Sequence, residues 1–551
     1  MYFDRSRSAA VAAFCILSCV LGSSEVQAQT AIRMTEMTAD AGIDFVHTHG
    51  GSDQGYIVEG MSTGLATFDY DGDGYQDIYF LNGAPLKGTD SESVPTNRLY
   101  RNKGDGTFED VTKAAGVGDA GYGLGVSVAD YDGDGDLDIY INNFGPNVLY
   151  RNNGDKTFTD VAEQAGVGNG NQVGAGVGFL DIDGDGDLDL YVANYVDFTY
   201  DNHVPIVIKG KRFQAGPQYY KPVPDALYRN EGDGTFVDIS EESGIGSVAG
   251  PGMGLVCADL DNDQDTDIYV CNDGQPNFLF LNDGKGKFEE LGLLNGAACD
   301  AEGKANSSMG VDCADFNHDG LLDLIVTNYQ AEMPVLYRNL GDGLFEDATS
   351  AVRITRELFP HVNWGTGFVD FDNDSDKDIF IACGHFDRIE DIDDRTAMKV
   401  RNYILENQDG LFTDVSKEAG VGMQLIETSR GTAFEDFDND GDIDVVLINS
   451  NTAPNLLRND LESDNNWIQL KLRGKGMNTR AIGARVIVEG KENQTADAMS
   501  GRGYQSHFGN VLHFGLGPDS NQEVKVRVRW PDGATQEVMV KVGERTEIVQ
   551  E

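Results

Sequence analysis

Basic residues are scarce in this sequence, and acidic residues outnumber them more than twofold. The 551 residues include 41 Lys and Arg and 92 Asp and Glu, which gives a formal net charge of −51 at pH 7. A chain with this charge and no broad basic stripe repels a polyanion, so nucleic acid is excluded as a partner. Aromatic residues still make up 9 % and hydrophobic residues 40 % of the chain, which favours a folded core over acidic disorder.

Long apolar runs are also missing. No segment approaches the roughly 18 apolar residues of a membrane-spanning helix. The N-terminal apolar stretch at residues 9–21 is shorter, and residues 26–28 (VQA) after it fit a small-residue cleavage site. Residues 1–28 are therefore predicted to be a secretory signal peptide, with a lipoprotein signal at Cys19 as the alternative. We expect an exported chain that is secreted, periplasmic or held at the cell surface.

Catalytic signatures and a disulfide framework are absent as well. The sequence contains no H-E-x-x-H or P-loop pattern. Beyond the predicted signal peptide, five cysteines remain, an odd number without framework spacing. They are Cys257, Cys271, Cys299, Cys313 and Cys383. Cys257 and Cys271 flank one loop, where they could face each other on adjacent strands or act as small buried hydrophobic residues.

What the sequence does contain is a repeat. The pattern D-x-[DN]-x-D-x-x-x-D occurs seven times, beginning at Asp69, Asp130, Asp181, Asp259, Asp315, Asp370 and Asp436. A Gly-rich stretch precedes each of these loops, and a short β-type run such as IYF or LYV follows. A second run of the LYRN type, a GDGTF-type hairpin turn and a third run of the FEDV type then continue the unit. Each unit therefore predicts four short strands, the content of one propeller blade.

The ends of the repeat predict a closed ring. Seven loops and seven LYRN-type runs are accompanied by six FEDV-type runs, and the missing one is found near the N-terminus at residues 32–38 (IRMTEMT). The first mature strand can therefore complete the last blade. We predict an all-β chain with a seven-bladed β-propeller at residues 29–460, followed by a small antiparallel β domain at residues 461–551.

The seven loops are predicted to bind calcium. Each has carboxylates or Asn at positions 1, 3, 5 and 9 and a backbone carbonyl at position 7, and calcium takes six to eight oxygen ligands in flexible geometry. An EF-hand is excluded because position 12 holds no Glu and the flanks are β runs. Closely spaced carboxylates also need a counter-cation to remain ionised together. We expect up to seven Ca²⁺ ions that stabilise the blades.

The predicted ligands are the odd-numbered positions of each loop. Loops 1 and 2 contribute Asp69, Asp71, Asp73, Tyr75, Asp77, Asp130, Asp132, Asp134, Asp136 and Asp138. Loops 3 and 4 contribute Asp181, Asp183, Asp185, Asp187, Asp189, Asp259, Asp261, Asp263, Asp265 and Asp267. Loops 5, 6 and 7 contribute Asp315, Asn317, Asp319, Leu321, Asp323, Asp370, Asp372, Asp374, Asp376, Asp378, Asp436, Asp438, Asp440, Asp442 and Asp444. Loop 5 has the fewest charges and is expected to bind most weakly.

The C-terminal segment alternates apolar and polar residues, as in WIQLKL and VKVRVRW, which predicts antiparallel strands. Six arginines there could form a basic face: Arg473, Arg480, Arg485, Arg502, Arg527 and Arg529. Such a face could contact an acidic glycan or the acidic propeller. A plain solvated face is the interpretation that we favour.

The seven loops with Gly-rich leads resemble the FG-GAP (VCBS-type) repeats of integrin α-subunit propellers. The segments NNWIQLKLRG, NTRAIGARVIV, SGRGYQS, LHFGLG and VRVRWPDG resemble the ASPIC/UnbV domain. This combination is similar to the cartilage acidic protein family, and the resemblance covers nearly all of the mature chain. It implies calcium binding, secretion and matrix or adhesive roles. Family members often carry cysteines before the fourth loop, whereas residues 197–225 have none, which puts a disulfide there in doubt.

Two insertions are candidate ligand surfaces. The first, at residues 195–224, carries a basic and aromatic group that suits a glycan or an anionic partner, or it simply caps the propeller face. Its candidate residues are Lys209, Lys211, Arg212, Tyr219 and Tyr220. The second, at residues 384–395, lies near further His and Trp residues that could do acid–base work or form structural hydrogen bonds. Its candidates are His361, Trp364, His385 and Arg388.

The favoured function is an exported calcium-dependent binding or adhesion module for an extracellular glycan or protein partner. We expect it to be a monomer without a transmembrane segment. Two alternatives are an enzyme that acts on a small molecule at the propeller mouth with calcium support, and a structural envelope or matrix protein. A deep pocket lined by His385, Arg388 and Trp364 would favour the enzyme.

Overall fold

A computed structural model describes residues 30–51, 54–89, 94–518 and 522–551. The predicted signal peptide and the alternative lipoprotein cysteine, Cys19, lie outside the described residues. Strands dominate the described part of the chain, so the all-β class is confirmed. None of the helices in the described ranges is long and apolar enough to cross a membrane.

Seven four-stranded antiparallel sheets, here called blades 1–7, occupy the repeat region of the described chain. Blade 1 consists of Leu65–Phe68, Asp77–Phe80, Arg98–Asn102 and Phe108–Asp110. Blade 2 consists of Tyr122–Ala129, Asp138–Phe144, Val148–Asn152 and Phe158–Asp160. Blade 3 consists of Gly174–Leu180, Asp189–Asn194, Ala226–Asn230 and Phe236–Asp238. Blade 4 consists of Gly252–Ala258, Asp267–Asn272, Phe278–Asn282 and Phe288–Glu290.

The remaining blades repeat this order of strands. Blade 5 consists of Ser308–Ala314, Asp323–Asn328, Val335–Asn339 and Phe345–Asp347. Blade 6 consists of Asn363–Val369, Asp378–Cys383, Tyr403–Gln408 and Leu411–Asp414. Blade 7 consists of Ser429–Glu435, Asp444–Asn449, Asn455–Asn459 and Met34–Glu36.

Helices are short and lie between strands. The α-helices of the described chain are Ile57–Met61, Thr112–Ala115, Ala162–Ala165 and Ser240–Ser243. The 3₁₀ helices are Pro217–Tyr219, Ile245–Ser247, Arg356–Leu358, Ile389–Asp391 and Val421–Gln424. A separate hairpin of Ile206–Ile208 and Lys211–Phe213 belongs to the first insertion.

The chain closes its own ring of blades. The first strand of each blade packs against the first strand of the next, and blade 7 packs against blade 1. The last strand of blade 7 comes from the N-terminal side of the chain, where Met34 pairs with Asn459 and Glu36 with Leu457. The prediction that the N-terminal strand completes the last blade is therefore confirmed.

Glycine in the first strands allows the blades to approach one another. A Cβ atom on Gly125 would lie 2.0 Å from the carbonyl oxygen of Ala175, and one on Gly365 would lie 2.4 Å from that of Arg430. Side chains cannot fit at such distances, so the Gly-rich leads of the sequence repeat are where neighbouring blades meet around the axis.

The C-terminal module, residues 466–549, contains two sheets packed around a common apolar core. One sheet is formed by Asn466–Arg473, Leu512–Gly517 and Arg545–Val549. The other is formed by Arg485–Val488, Gln494–Asp497, Glu523–Arg529 and Thr535–Lys541. The alternating pattern of the sequence is explained by this core, which includes Ile468, Val486 and Trp530.

A segment of this module, residues 499–511, enters the propeller and is here called the plug. Its backbone bonds the first strands of three blades: Gly503 N donates to Val311 O (2.8 Å), Val126 N donates to Gln505 O (3.1 Å) and His507 N donates to Leu65 O (3.0 Å). The Tyr504 side chain is fully buried. The plug therefore fills the channel between the blades.

The solvated-face interpretation of the six arginines is wrong for those that meet the propeller. Arg502 forms two hydrogen bonds with Asp312 (Nε–Oδ1 2.7 Å, Nη2–Oδ2 2.8 Å). Arg529 donates to Asp259 Oδ2 at 2.7 Å, and Arg485 bonds the backbone of Asp259. Arg480 donates to Gly135 O of the propeller, whereas Arg527 pairs with Glu489 and Glu537, and Arg473 pairs with Glu547. Only the last two of these six arginines contact their own module alone.

The five cysteines of the described chain are free. Cys257 pairs with Ile268 rather than with Cys271 across the first two strands of blade 4, and both cysteines are buried. The interpretation as small buried hydrophobic residues therefore holds for this pair.

Candidate metal sites and the capped channel mouth

The first Asp of the loops organises the turn that follows it. In loop 1, the two carboxylate oxygens of Asp69 accept the backbone N–H groups of Asp73 (3.0 Å) and Gly74 (3.1 Å). The same two contacts recur at Asp130, Asp315, Asp370 and Asp436. Among the loops with this curl, carboxylates at positions 1, 3 and 9 lie close together in loops 1 and 2, and those at positions 1, 3 and 5 lie close together in loop 6.

The last Asp of each loop fixes the loop to its blade. Asp77 accepts Tyr70 N at 2.9 Å and Asn102 N at 2.7 Å, and position 9 makes the same pair of contacts in loops 2, 3, 4, 6 and 7. Burial raises the pKa of Asp77 to about 8. Position 9 is therefore held rigidly at the base of the loop.

An Asn at the end of the third strand of each blade joins neighbouring blades. Asn230 Nδ2 donates to Leu188 O of its own blade (3.1 Å) and to Tyr131 O of the preceding blade (2.9 Å). At all seven junctions such an Asn reaches the preceding loop, and Asn102 closes the ring by donating to Phe437 O (2.8 Å). This role was not predicted from the sequence, although the Asn of each LYRN-type run was visible there as its signal.

Carboxylates converge in the loops. In loops 1, 2, 3, 4 and 6, ligand atoms from three aspartates lie within 4.8 Å of one another. The groups are Asp69, Asp71 and Asp77; Asp130, Asp132 and Asp138; Asp181, Asp183 and Asp185; Asp259, Asp261 and Asp263; and Asp370, Asp372 and Asp374. Such groups bring several negative charges together with little basic compensation.

Several of these oxygens are buried and have no hydrogen-bond partner among the described residues. Position 3 provides such an oxygen in four loops, at Asp71, Asp132, Asp183 and Asp438 Oδ1. An unpaired buried carboxylate oxygen is costly in a protein unless something positive contacts it. The oxygen-only donor set, the convergence and the orphaned oxygens all fit a hard divalent cation such as Ca²⁺.

Desolvation and mutual repulsion act together on the carboxyl groups of loops 4 and 6. Burial, with the charges of Asp370 and Asp374, raises the pKa of Asp372 to about 9. Burial and Asp263 raise the pKa of Asp265 to about 8. A bound cation would favour the ionised form of these carboxyl groups and so oppose the rise in their pKa.

Position 7 has a different role from the other positions. Position 7 is predicted to offer its backbone carbonyl oxygen as a metal ligand, and this role stays a prediction. Its side chains vary: the Tyr75 ring lies against Gly104 of the following hairpin turn, and Leu321 lies against Gly341. Loop 5 further differs by His318, whose Nε2 lies 2.9 Å from Asp376 Oδ1 of loop 6.

The C-terminal module covers the loop side of the propeller. Lys471 Nζ lies 3.6 Å from Asp69, Gln469 Nε2 donates to Asp436 Oδ2 (2.8 Å), and Gly515 N donates to Asp370 Oδ2 (3.1 Å). Thr479 bonds Asp130, and Arg529 bonds Asp259 as described above. The module therefore touches the first Asp of loops 1, 2, 4, 6 and 7.

The two insertions meet at the opposite mouth of the channel, and together they are here called the cap (residues 195–224 and 384–395). Lys211 pairs with Asp391 (2.5 Å), and Lys209 Nζ donates to Asp391 O (2.7 Å). Arg212 bonds Gln54. Lys209 and Lys211 thus join the two insertions, whereas Arg212 ties the first insertion to the chain near Gln54.

The predicted aromatic residues of the first insertion have different environments. Tyr219 is 52 % exposed. Tyr220 OH accepts the backbone N–H of Val204 at 3.3 Å. Neither residue lines the cavity described below.

The His, Trp and Arg candidates around the second insertion make structural contacts. His385 is buried, its Nδ1 accepts Phe386 N (2.7 Å), and burial lowers its pKa to about 3. Trp364 is 2 % exposed and donates to Gly384 O. His361 lies beside Tyr403, and Arg388 begins the turn before Ile389–Asp391. Of these four candidates, Trp364 alone lines the cavity at this mouth.

That cavity has a volume of about 550 Å³ and lies between the cap and the channel mouth. Gln214, Gln218 and Phe386 contribute from the cap, and Asp273 and Tyr329 contribute from the blades. Its size is in the range of small-ligand pockets.

Two family models match the chain. A model described as an FG-GAP-like repeat matches residues 69–141, 130–192, 219–270, 259–326 and 315–381. A model described as ASPIC and UnbV matches residues 474–551.

The chain is also similar in sequence to curated proteins. Cartilage acidic protein 1 of Homo sapiens is 27 % identical over 387 residues, which cover 68 % of this chain and 53 % of that protein. Cartilage acidic protein 1 of Xenopus tropicalis is 26 % identical over 370 residues, which cover 65 % and 52 %. The chain therefore spans about half the length of the curated relatives it matches.

Solved structures are similar only at a distance. A lectin of Agrocybe aegerita that recognises non-reducing terminal N-acetylglucosamine matches with a TM-score of 0.38 and 20 % identity, over 64 % of this chain and 81 % of that one. YCF48 bound to a D1 peptide matches with a TM-score of 0.40 and 8 % identity, over 72 % and 91 %. At these scores the similarity carries no argument about function.

Proposed function

Because this chain belongs to the FG-GAP-like repeat family and carries an ASPIC and UnbV domain, we propose that it is an exported, calcium-loaded β-propeller. It serves as an extracellular binding module for a glycan or a protein partner. Calcium is held by the seven loops and stabilises the blades. The binding surface is the side of the propeller that carries the cap.

The observation that carries the calcium proposal is the set of orphaned carboxylate oxygens. Asp71, Asp132, Asp183 and Asp438 each bury an oxygen at position 3 without a hydrogen-bond partner in the described chain. Positions 1, 5 and 9 of the same loops supply the other carboxylates that would hold the ion. When bound, the cation neutralises the loops, and the chain's own residues keep the carboxylates in place through the backbone contacts of positions 1 and 9.

The placement of the partner surface follows from the topology of the blades. Successive turns of an antiparallel meander lie at alternate ends of the sheet, so the cap and the metal loops are on opposite sides. The C-terminal module covers the loop side. This leaves the cap side, with the two long insertions, for an extracellular partner.

Calcium binding is tested by thermal unfolding of the purified chain. Chelation with EDTA is expected to lower the melting temperature markedly, and excess Ca²⁺ is expected to restore it, because the ions bind the folded state alone. Mg²⁺ is the control and should restore less, since it requires stricter octahedral geometry. An unchanged melt in EDTA, together with no calcium by elemental analysis, would overturn the calcium proposal.

Partner binding is tested separately on glycan and protein arrays. The calcium-loaded chain is expected to bind at least one extracellular glycan or protein, and binding should disappear in EDTA. A folded, calcium-loaded chain that binds neither class would overturn the binding-module proposal while leaving the calcium proposal intact.

A further inference from the structure

We propose that the cavity beneath the cap is the ligand site and that it binds a neutral sugar residue of a glycan. This inference rests on the proposed binding function and adds the position of the binding site and the class of its ligand. The two insertions, which are far apart in sequence, then act as two walls of one saccharide pocket.

The walls come from the cap and from the blades. Gln214, Gln218 and Phe386 belong to the cap, and Asp273, Gln275 and Tyr329 lie at the ends of blades 4 and 5. The internal ion pair of Lys211 with Asp391 joins the two insertions outside the cavity. The pocket is therefore built by contacts that already exist in the chain without ligand.

The charge of the lining selects against anions. Among the described lining residues there is no Lys, Arg or His, and the acid Asp273 is present. Asp273 Oδ2 accepts the hydroxyl of Tyr195 at 2.7 Å, so the carboxyl group is oriented. An acidic or phosphorylated ligand would meet this carboxyl group inside a chain of net charge −51.

The polar groups suit hydroxyls. Three amide side chains, Gln214, Gln218 and Gln275, each offer one acceptor and two donors, and Asp273 and Ser307 add acceptors. Sugar hydroxyls act as both donors and acceptors, so a mixed rim of this kind satisfies them. A purely apolar ligand would leave these groups unpaired at a cost.

The aromatic groups suit the C–H face of a sugar ring. The Phe386 and Tyr329 rings have centroids 5.8 Å apart and are inclined by 36°, and both are partly exposed. Trp364, Met253 and Met309 extend this apolar wall. An apolar wall with a few oriented polar groups is the usual composition of a small-ligand pocket.

The plug makes this pocket blind-ended. Tyr504 packs edge-on against Trp364, with ring centroids 5.1 Å apart, and its hydroxyl donates to Met61 O at 3.0 Å. Met61 and Trp364 both line the cavity. A glycan can therefore enter by its end or by a short branch, but it cannot thread through the channel.

The test uses saturation-transfer NMR and calorimetry on the full, calcium-loaded chain. The probes are glucose, galactose, mannose and their N-acetylated amino sugars and disaccharides, with glucuronate as the acidic arm and choline as the ammonium arm. At least one neutral saccharide is expected to bind. Binding of glucuronate or choline alone would overturn the assigned ligand class.

Variants locate the site. Phe386→Ala and Asp273→Asn are each expected to weaken saccharide binding about tenfold or more, because each removes a wall or an oriented polar group. Tyr219→Ala is the matched control, since this aromatic residue of the same cap is 52 % exposed and lies outside the cavity. Gln275→Ala, at a partly exposed position, replaces either variant if its thermal unfolding shows that it does not fold.

The outcomes separate this inference from the function on which it rests. Saccharide binding that survives in Phe386→Ala, Asp273→Asn and Gln275→Ala would overturn the assignment of this cavity as the saccharide site, while the binding-module proposal stands. Array binding to a protein partner, with no response to any neutral saccharide, would overturn the sugar assignment in the same way. Absence of every ligand from a folded chain would overturn both.

Discussion

At the scale of single residues, small departures from the repeat are informative. Blade 4 carries Asn277 before its third strand, where Oδ1 accepts Asn272 N (2.8 Å) and Nδ2 donates to Tyr269 OH (2.9 Å). Blade 3 carries Asp225 at the same place, and the Tyr191 hydroxyl now donates to its Oδ2 (2.6 Å). Burial raises the pKa of Asp225 to about 7. One change from amide to carboxyl thus introduces a titrating group into a buried position.

The variant Asp225→Asn is expected to stabilise the chain at alkaline pH. A folded pKa of about 7 exceeds the unfolded value, so the folded state binds the proton more tightly and stability falls as pH rises from about 4 to 7. The variant removes this loss and should gain about 1–3 kcal/mol at pH 8, with a smaller gain at pH 5, where only part of the loss has occurred. Urea unfolding of both proteins in saturating Ca²⁺ measures the difference. An equal effect at both pH values would contradict this assignment.

The variant Arg502→Met is expected to be strongly destabilising. Its guanidinium makes two hydrogen bonds to Asp312, whose side chain is fully buried, and truncation would leave that carboxylate without its cation. The expected loss is about 3–5 kcal/mol of unfolding free energy. Arg473→Met is the control: its pair with Glu547 is exposed, so the expected loss is below about 1 kcal/mol. Similar losses in both variants would refute the buried ion pair.

Residue roles were predictable from the sequence where the repeat itself encodes them. The positions of the loop aspartates follow from spacing alone, and so does the Gly of the first strand. The partners of Arg502 and Arg529 could not be predicted, because Asp312 and Asp259 are more than 180 residues away in sequence. An alternating strand pattern is also the same whether its polar face meets water or another domain. The solvated-face interpretation failed for this reason.

At the scale of elements, the Asn that joins adjacent blades connects the loops into one ring. Each such Asn bonds its own loop and the carbonyl of position 2 in the preceding loop, as Asn230 does with Tyr131. Loop geometry is therefore shared between neighbouring blades. Disturbance of one loop is expected to reach the next blade through this contact.

The variant Asn230→Ala tests this connection. It removes two donor contacts, to Tyr131 O and Leu188 O, and leaves buried carbonyl groups unpaired. The expected loss is about 2–4 kcal/mol in unfolding free energy. Asn153→Ala, in the exposed turn after the third strand of blade 2, is the control and should change stability by less than about 0.5 kcal/mol. A loss at Asn230 no greater than that at Asn153 would exclude a role for Asn230 in joining the blades.

The elements of the propeller were predictable, whereas the arrangement of its insertions was not. The strands were predicted from the alternation of residue types and from the hairpin turns. The strand that blade 7 lacks was predicted at residues 32–38, and the pairing of Met34 with Asn459 confirms this closure. The cap depends instead on the contact of Lys211 with Asp391. No periodic pattern links these residues, so the two insertions were predicted as separate surfaces although they meet in one cap.

At the scale of the whole molecule, the C-terminal module closes the propeller from the loop side. Its plug fills the channel, and its residues contact the first Asp of five loops, including Asp69, Asp370 and Asp436. These carboxylates are also the predicted calcium ligands. Cation binding and docking of the module therefore depend on the same side chains.

Chelation is consequently expected to loosen the docked module. Without the cation, the clustered carboxylates of each loop repel one another, so the first Asp no longer holds the orientation that Gly515 N and Gln469 contact. Hydrogen exchange should accelerate in the plug, at Gly503 N and His507 N, by about tenfold or more in EDTA.

The internal control for this experiment is the core of the module itself. Val526 is fully buried between strands of one sheet and is paired with Val488 and Val538. Its amide should keep its protection in EDTA, because its contacts lie within the module and none of them involves a metal loop. If exchange accelerates in the loops while the plug keeps its protection, docking is independent of calcium. If Val526 exchanges as fast as Gly503, the module unfolds as a unit with the propeller. The expected pattern, a protected module core with an exposed plug, is produced only by release of an intact module from the loop side.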